Sequence, residues 1–195
     1  MNGNGPWRLA GVGLVGLVLL ALGTVLDGWL PADTDDPGSR PFVRAVDVAE
    51  AVDLRTMTVE VDAVRVTRTL MEYGSELNSP GVWVLVEYTV VPARENTALR
   101  FAELRDGAGR VWSLGGRNEN ICPAGPPGVP TGCVAFFEVP PGALESLRLR
   151  LAREPFEQRY DAIADVDLGL TDEDADGARD APALEVPAVS IGERS

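Results

Sequence analysis

The sequence predicts an all-β antiparallel sandwich that follows a single membrane-spanning helix. Three observations predict this architecture. Residues 9–26 form one charge-free, largely apolar run. At ~1.5 Å per helical residue this run reaches ~27 Å, close to the ~30 Å hydrocarbon core of a bilayer. The chain that follows alternates apolar and polar residues in short segments, and Gly- and Pro-rich turns separate these segments, as in β-sandwiches.

The flanks of the apolar run predict its orientation. Trp7 and Trp29 bracket the run in the way that interfacial aromatic residues bracket membrane helices. Arg8 is the only basic residue near it and precedes it, which favours a cytoplasmic N-terminus. We therefore expect residues 1–8 in the cytoplasm, residues 9–30 in the membrane as a single-pass anchor, and the rest of the chain outside.

A cleaved signal peptide is the alternative interpretation of the same run. Residues 21–23, Ala-Leu-Gly, resemble a small-x-small cleavage site. However, the run continues past this site and is longer than the usual ~7–15-residue signal core. Whether the segment is cleaved stays open, and both interpretations export residues 31–195.

The composition excludes several classes of function. The chain has a net charge of −13, and its seventeen basic residues are all Arg. An acidic chain is poorly suited to neutralising phosphates, so we expect no nucleic-acid partner. The absence of His removes imidazole-based nucleophile systems and most catalytic zinc sites, and the absence of Lys removes Schiff-base chemistry. We therefore expect a protein that is not an enzyme and needs no cofactor. Arg-only usage with abundant Ala, Gly, Val and Pro suggests a high-GC genome, such as that of an actinobacterium.

The exported part divides into a stalk, a sandwich domain and a C-terminal region. Residues 31–41 are rich in Asp and Pro and predict an extended extracytoplasmic stalk. Residues 42–170 form the predicted sandwich, in which the apolar phase slips near Asp62 and predicts a bulge. Turns are expected at residues 78–81 and at the hairpin of residues 106–109. The predicted strands are residues 42–48, 56–69, 82–90, 99–104, 110–114, 133–139, 147–151 and 166–170.

Four of these segments carry a resemblance to a known group of domains. They read TMTVEVDAVRVTRTL, GVWVLVEYTV, LRDGAGRVW and PTGCVAFFEVPPGALESLRLRLA. Their order resembles a telokin-like, immunoglobulin-related extracytoplasmic domain of unknown function, found on membrane-anchored proteins and lipoproteins of Gram-positive, including actinobacterial, species. The resemblance covers about residues 42–170. It implies an immunoglobulin-like sandwich with a non-enzymatic display role, and it brings no catalytic residues.

The two cysteines predict a disulfide that closes an unusual loop. Cys122 and Cys133 are closely spaced in an exported chain, where such a pair is typically oxidised. The loop of residues 115–132 is rich in Gly and Pro, and the bridge either pins a floppy connection or preorganises a binding loop. In the second interpretation its polar side chains contact a partner. These are Arg117, Asn118, Glu119 and Asn120.

The acidic segment of residues 171–182 is predicted to be a solvated linker. It also matches the D-x-D-x-D-G opening of an EF-hand loop, whose alternating carboxylates could bind calcium. The candidate ligands are Asp172, Asp174 and Asp176. Ala183 stands where a bidentate Glu belongs, which weakens the calcium hypothesis.

An apolar segment, residues 183–195, follows the linker. It could return as an edge strand of its own domain or add a strand to a partner's sheet. The side chains that would contact a partner are Leu184, Val186, Val189 and Ile191.

Together these observations predict a membrane-anchored extracytoplasmic accessory module of the cell envelope that acts by protein–protein contact. A small-ligand or calcium-binding surface module is the alternative. A carboxylate-dependent glycosidase is less favoured, because a small sandwich offers little cleft. The sequence leaves the partner and the oligomeric state open.

Overall fold

The computed structural model describes residues 41–154 and 162–192 of the chain. The predicted cytoplasmic segment, the anchor and all of the stalk before Pro41 lie outside the described residues. Within the two described ranges, no helix combines the length and the apolar character needed to cross a membrane.

Twelve strands form two sheets in this part of the chain. In order these are β1 Phe42–Asp47, β2 Val52–Asp53, β3 Met57–Glu72, β4 Ser75–Pro92, β5 Phe101–Arg105, β6 Val111–Ser113, β7 Glu119–Ile121, β8 Thr131–Val139, β9 Arg148–Ala152, β10 Ala162–Asp167, β11 Leu184–Glu185 and β12 Ser190–Ile191. The five-stranded sheet has the order β1-β10-β9-β5-β6. The seven-stranded sheet has the order β11-β3-β4-β8-β12, with β2 paired to β3 and β7 paired to β8. The predicted all-β class is confirmed.

The main core lies between the two sheets. Val84 and Phe137 of the seven-stranded sheet share one buried cluster with Leu104, Leu149 and Val166 of the five-stranded sheet. Most strand pairs are antiparallel, as predicted. Two pairs differ, because β1 runs parallel to β10 and β11 runs parallel to β3.

The β3–β4 hairpin is the longest element of the fold. The predicted bulge is confirmed, since the register between β3 and β4 shifts between Val61 and Ala63. The chain reverses at Tyr73 and Gly74, whose φ angles are 47° and 78°. Two consecutive residues with positive φ form the tight turn that matches the twist of paired strands.

The predicted turn at residues 78–81 is wrong. These residues lie inside β4, at a second irregularity where the β3 partners of Asn78 and Trp83 are only two positions apart. The extra β4 residues bring Gly81 so close to β8 that an added Cβ would lie 2.3 Å from the Val139 carbonyl oxygen. The Pro-Gly pair therefore serves a close backbone approach instead of a chain reversal.

Both faces of β4 are buried. One face joins the main core, as the alternation predicts. The other face carries Trp83 and Leu85 into a second apolar cluster with Phe136 of β8. The rings of Trp83 and Phe136 meet edge to face with centroids 5.9 Å apart. This cluster lies on the outer face of the seven-stranded sheet, so another segment of the chain must cover it.

The C-terminal residues supply that cover. β11 pairs with β3 at one edge of the sheet, and β12 pairs with β8 on the other side of β4. The residues between them cross the outer face, where Val186 and Val189 pack against the second cluster. We call residues 184–191 the C-terminal strap. Of the two alternatives for this segment, the structure takes the return to its own domain.

The segment before the strap is not wholly a linker. Asp172–Gly177 form a short helix, α1, whose Ala175 is buried together with the following Ala178. The Asp174 carboxylate accepts hydrogen bonds from the backbone N–H and the hydroxyl of Thr171. This capping arrangement and the two buried Ala residues explain why a helix forms where the charges predicted a linker.

Candidate functional site

A cleft lies where the β3–β4 turn, β7 and the C-terminal strap meet. Its volume is about 470 Å³, and it is lined by residues 71–74, Ile121 and residues 185–189. This volume falls within the range of ~300–1,000 Å³ that ligand-binding clefts occupy. The cleft is therefore large enough to receive part of a partner molecule.

The rim of the cleft carries an exposed aromatic side chain. Tyr73 is 91% exposed and lies at φ 47°, a region that non-glycine residues other than Asn and Asp seldom occupy. Holding a bulky residue there costs free energy, of order 1 kcal/mol. Tyr73 is thus both strained and solvent-facing.

The walls of the cleft are mainly apolar. Met71 and Ile121 contribute from β3 and β7, and Val186 and Val189 contribute from the strap. Ile121, Val186 and Val189 also pack against the second cluster, which anchors this wall to the sheet. Because this wall is already packed against the sheet, it loses less conformational entropy when a partner binds.

Carboxylates surround this apolar wall. Glu72 and Glu185 line the cleft. Burial raises the pKa of Glu72, and the negative charge of Glu119 raises it further. Among the described residues, none of these three carboxylates forms an ion pair. The cleft therefore has a negative charge that the described part of the chain does not neutralise.

The predicted disulfide is confirmed. Cys122 bonds to Cys133. Just before Cys122, in the loop of residues 115–132, β7 pairs with β8. The loop is consequently part of the sheet, and its bridge joins the end of β7 to the neighbouring strand.

Arg117, the first of the predicted partner contacts in this loop, is used inside the chain. Its guanidinium donates to both carboxylate oxygens of Glu138 at 3.0 Å and to the backbone carbonyl of Asn78 at 2.7 Å. The same group lies over the Trp83 ring, 4.7 Å from its centroid. Arg117 therefore holds the loop against the sheet.

The two asparagines of the loop also make internal hydrogen bonds. Asn118 donates to the Ser113 carbonyl and accepts from the backbone N–H of Glu138. Asn120 accepts from the Tyr88 hydroxyl. Of the four predicted polar contacts, only the exposed Glu119 acts on the cleft.

The strap residues predicted to contact a partner are mostly used inside the chain as well. Leu184, Val186 and Val189 pack against the second cluster, because the outer face of the sheet is itself apolar there. Ile191 is 54% exposed. Besides Ile191, the strap residues Val186 and Val189 remain open to a partner where they line the cleft.

The three calcium candidates do not converge. Asp172 and Asp176 are four positions apart on one helix and share a face, but Asp174 is two positions from each and does not. Within the described ranges, no three carboxylate, thiolate or imidazole side chains meet in a way that could hold a metal ion.

Val186 and Val189 were singled out from the sequence, but Tyr73, Gly74 and Glu185 were not. Tyr73 and Gly74 are recognisable as a two-residue turn only if β3 is extended to Glu72. The Pro80-Gly81 pair is a stronger turn signal in the sequence, and it placed the predicted turn too late in the chain. Glu185 reaches the cleft because the strap pairs with β3, a contact between residues far apart in the sequence.

No protein family and no curated protein sequence matches this chain. Two solved structures are similar to it. The yjhA protein from Bacillus subtilis is 15% identical, covers 62% of this chain and 99% of its own, and has a TM-score of 0.45. An uncharacterized beta-sandwich protein from Clostridium difficile 630 is 10% identical, covers 70% of this chain and 99% of its own, and has a TM-score of 0.44.

Proposed function

We propose that this protein is a membrane-anchored, extracytoplasmic module of the cell envelope that acts by protein–protein contact at the cleft. The observation that carries the proposal is Tyr73, a 91% exposed aromatic residue at a positive φ beside an apolar wall. Exposed aromatic anchors next to a concave apolar surface are typical of interaction hot spots. Because the Tyr73 side chain is exposed, it makes no buried contacts that would offset its backbone strain, and this supports a role in binding.

Two features support the extracytoplasmic location. Residues 9–26 are long and apolar enough for a single-pass anchor with the N-terminus inside. The Cys122–Cys133 disulfide is typical of proteins that fold in an oxidising compartment. The domain would then be an immunoglobulin-like, telokin-like sandwich displayed on the surface of a Gram-positive, actinobacterial cell.

A non-enzymatic role is proposed on chemical grounds. The chain contains neither His nor Lys, so the common nucleophile and base systems have no residues to use. A carboxylate-dependent glycosidase would need one carboxyl group as an acid and a second as a base or nucleophile across the substrate. The interaction of Glu72 with Glu119 is the one observation in its favour.

A small-ligand module is the second candidate function. The cleft volume of about 470 Å³ would suit a small organic molecule as well as a protein side chain. We favour a protein partner because Tyr73 projects from the rim, where a larger surface would cover it.

The proposal is tested by cross-linking and capture of the full-length protein from its own membranes, with the variants Tyr73→Asn and Val111→Ala. Asn is well suited to a positive φ, so Tyr73→Asn keeps the turn and removes the aromatic contact. Val111→Ala alters another exposed apolar residue, 43% exposed, on β6. We expect Tyr73→Asn to lose a cross-linked protein that Val111→Ala retains. Capture of the same proteins by both variants would contradict the proposal.

A further inference from the structure

The cleft carries carboxylates beside an apolar wall, since Glu72 and Glu185 both line it. Several other carboxylates of the described domain have an arginine partner: Arg117 contacts Glu138, and Arg148 contacts Asp165. Glu72, Glu119 and Glu185 have no such partner among the described residues. Their charge is open to solvent and to whatever enters the cleft.

The apolar wall next to these carboxylates has a shape that suits a particular kind of side chain. Long basic side chains have an apolar stem and a charged end. In this cleft a stem could pack on Ile121 and Val189, while the charged end met Glu72 and Glu185. The Tyr73 ring at the rim adds a π face, which attracts cations.

From this charge complementarity we infer that the cleft receives an arginine or lysine side chain presented by a segment of the partner protein. The inference rests on the proposed function, because it names the chemistry of the partner at the same cleft. An arginine fits best, since its planar guanidinium can both stack on Tyr73 and donate to a carboxylate.

The inference assigns a role to the C-terminal strap. Residues 185–189 supply one wall of the cleft, and Glu185 supplies one of its charges. A ligand that binds only when the strap is docked must stabilise the docked strap by the same free energy. Binding of the basic segment therefore holds the strap on the sheet.

The test uses the full-length ¹⁵N-labelled protein in neutral detergent micelles. It is titrated with acetyl-Gly-Arg-Gly-amide and, separately, with the same peptide carrying citrulline, which has the shape of arginine without its charge. We expect the arginine peptide to shift the amide resonances of Gly74, Ile121 and Ala188. We expect it to bind at least ~10-fold more tightly than the citrulline peptide, because it alone forms a charge-assisted contact. Equal affinities, or an absence of saturable shifts, would overturn the inference.

Matched variants locate the charge. Glu72→Gln with Glu185→Gln is expected to weaken binding of the arginine peptide ~10-fold, whereas Glu173→Gln on α1 leaves it unchanged. Glu173 is exposed and lies outside the cleft. The cleft variant removes two charges and the control removes one, so weakening by ~3-fold in Glu173→Gln would reduce the effect to the overall charge of the chain. The amide spectrum of each variant reports whether it is folded.

The two proposals fail separately. If capture of a partner depends on Tyr73 but the arginine and citrulline peptides bind alike, the proposed protein contact at the cleft is supported and the inferred recognition of a basic side chain is wrong. If arginine binding is selective while no captured protein depends on Tyr73, the cleft recognises a basic group without the proposed partner contact.

Discussion

The Tyr88 hydroxyl donates a hydrogen bond to the Oδ1 of Asn120, two strands away on the inner face of the seven-stranded sheet. The Nδ2 of Asn120 in turn donates to the Leu99 carbonyl at 3.0 Å, in the segment that leads to β5. One asparagine of β7 thereby connects a central strand of one sheet to the segment that leads into the other sheet. Tyr88 is 0% exposed, so the bond lies where water cannot replace it.

Removing this hydroxyl should destabilise the fold. Tyr88→Phe would leave the Oδ1 of the half-buried Asn120 without this donor, and we expect the free energy of unfolding to fall by about 1–2 kcal/mol. Tyr73→Phe is the matched control, because Tyr73 is almost fully exposed. Urea denaturation of both variants measures the difference. Equal stability of the two variants would contradict the assigned role of Tyr88.

Tyr88 should also make the protein sensitive to alkali. Burial raises the pKa of Tyr88 far above its ordinary value of 10.0, although the hydrogen bond with Asn120 opposes the shift. Below pH 10 the residue is neutral in the folded and unfolded chains alike. Above pH 10 it ionises mainly in the unfolded chain, so the free energy of unfolding falls, by as much as ~1.4 kcal/mol per pH unit.

The chain offers a clean measurement of this effect. It has no Lys that would titrate in the same pH range. Urea denaturation between pH 9 and 11.5 should show a steep loss of stability for the native protein and a shallower loss for Tyr88→Phe. If Tyr88→Phe lost stability with rising pH as steeply as the native protein and the control Tyr73→Phe do, groups other than Tyr88 would cause the loss.

Arg117 should contribute to stability through several contacts at once. Its loss removes the ion pair with Glu138, the bond to the Asn78 carbonyl and the cover over the Trp83 ring. We expect Arg117→Ala to lower the free energy of unfolding by about 1–2 kcal/mol. Arg94→Ala, at an exposed position, should change it by less than about 0.5 kcal/mol. The opposite ranking in thermal or urea denaturation would exclude this role.

Short-range patterns account for the parts of the fold that the sequence predicted. The hairpin of residues 106–109 depends on Asp106, whose carboxylate accepts from the backbone N–H and the guanidinium of Arg110. Burial alone would raise the pKa of Asp106, but these bonds and the charge of Arg110 hold it below its usual value. Such contacts span four residues, so a sequence pattern can reveal them.

The cleft depends on contacts that no local pattern contains. The strap has apolar residues typical of a strand, but whether they pair within the chain or with a partner depends on the outer face of a distant sheet. That face is apolar because Leu85 pairs with Phe136, and Trp83 lies on the same face two residues before Leu85. The register of β3 against β4 contains two irregularities, and the sequence revealed only the one near Asp62.

The disulfide should stabilise the domain by restricting the unfolded chain. Its cysteines are 11 residues apart, and closing a loop of this length is worth ~2–3 kcal/mol. We expect Cys122→Ala with Cys133→Ala to lose about this amount in urea denaturation. The native protein should lose a similar amount on adding a reductant, and the double variant should not respond to it. Unchanged stability of the double variant would show that the loop is held by β7 and Arg117 alone.

The C-terminal strap should be required to cover the outer face of the seven-stranded sheet. Val189 packs against the cluster of Trp83 and Phe136, whereas Ala183 is exposed at the start of the strap region. A carboxylate at position 189 would have to leave the apolar cluster and take the strap with it, because an unpaired charge is costly to bury. We expect Val189→Asp to lower the free energy of unfolding by about 2 kcal/mol and to shift the tryptophan emission, to which Trp83 contributes, to longer wavelengths, while Ala183→Asp does neither. If both variants kept the native emission and stability, the outer face would be stable without the strap, and the strap would be free to serve a partner's sheet instead.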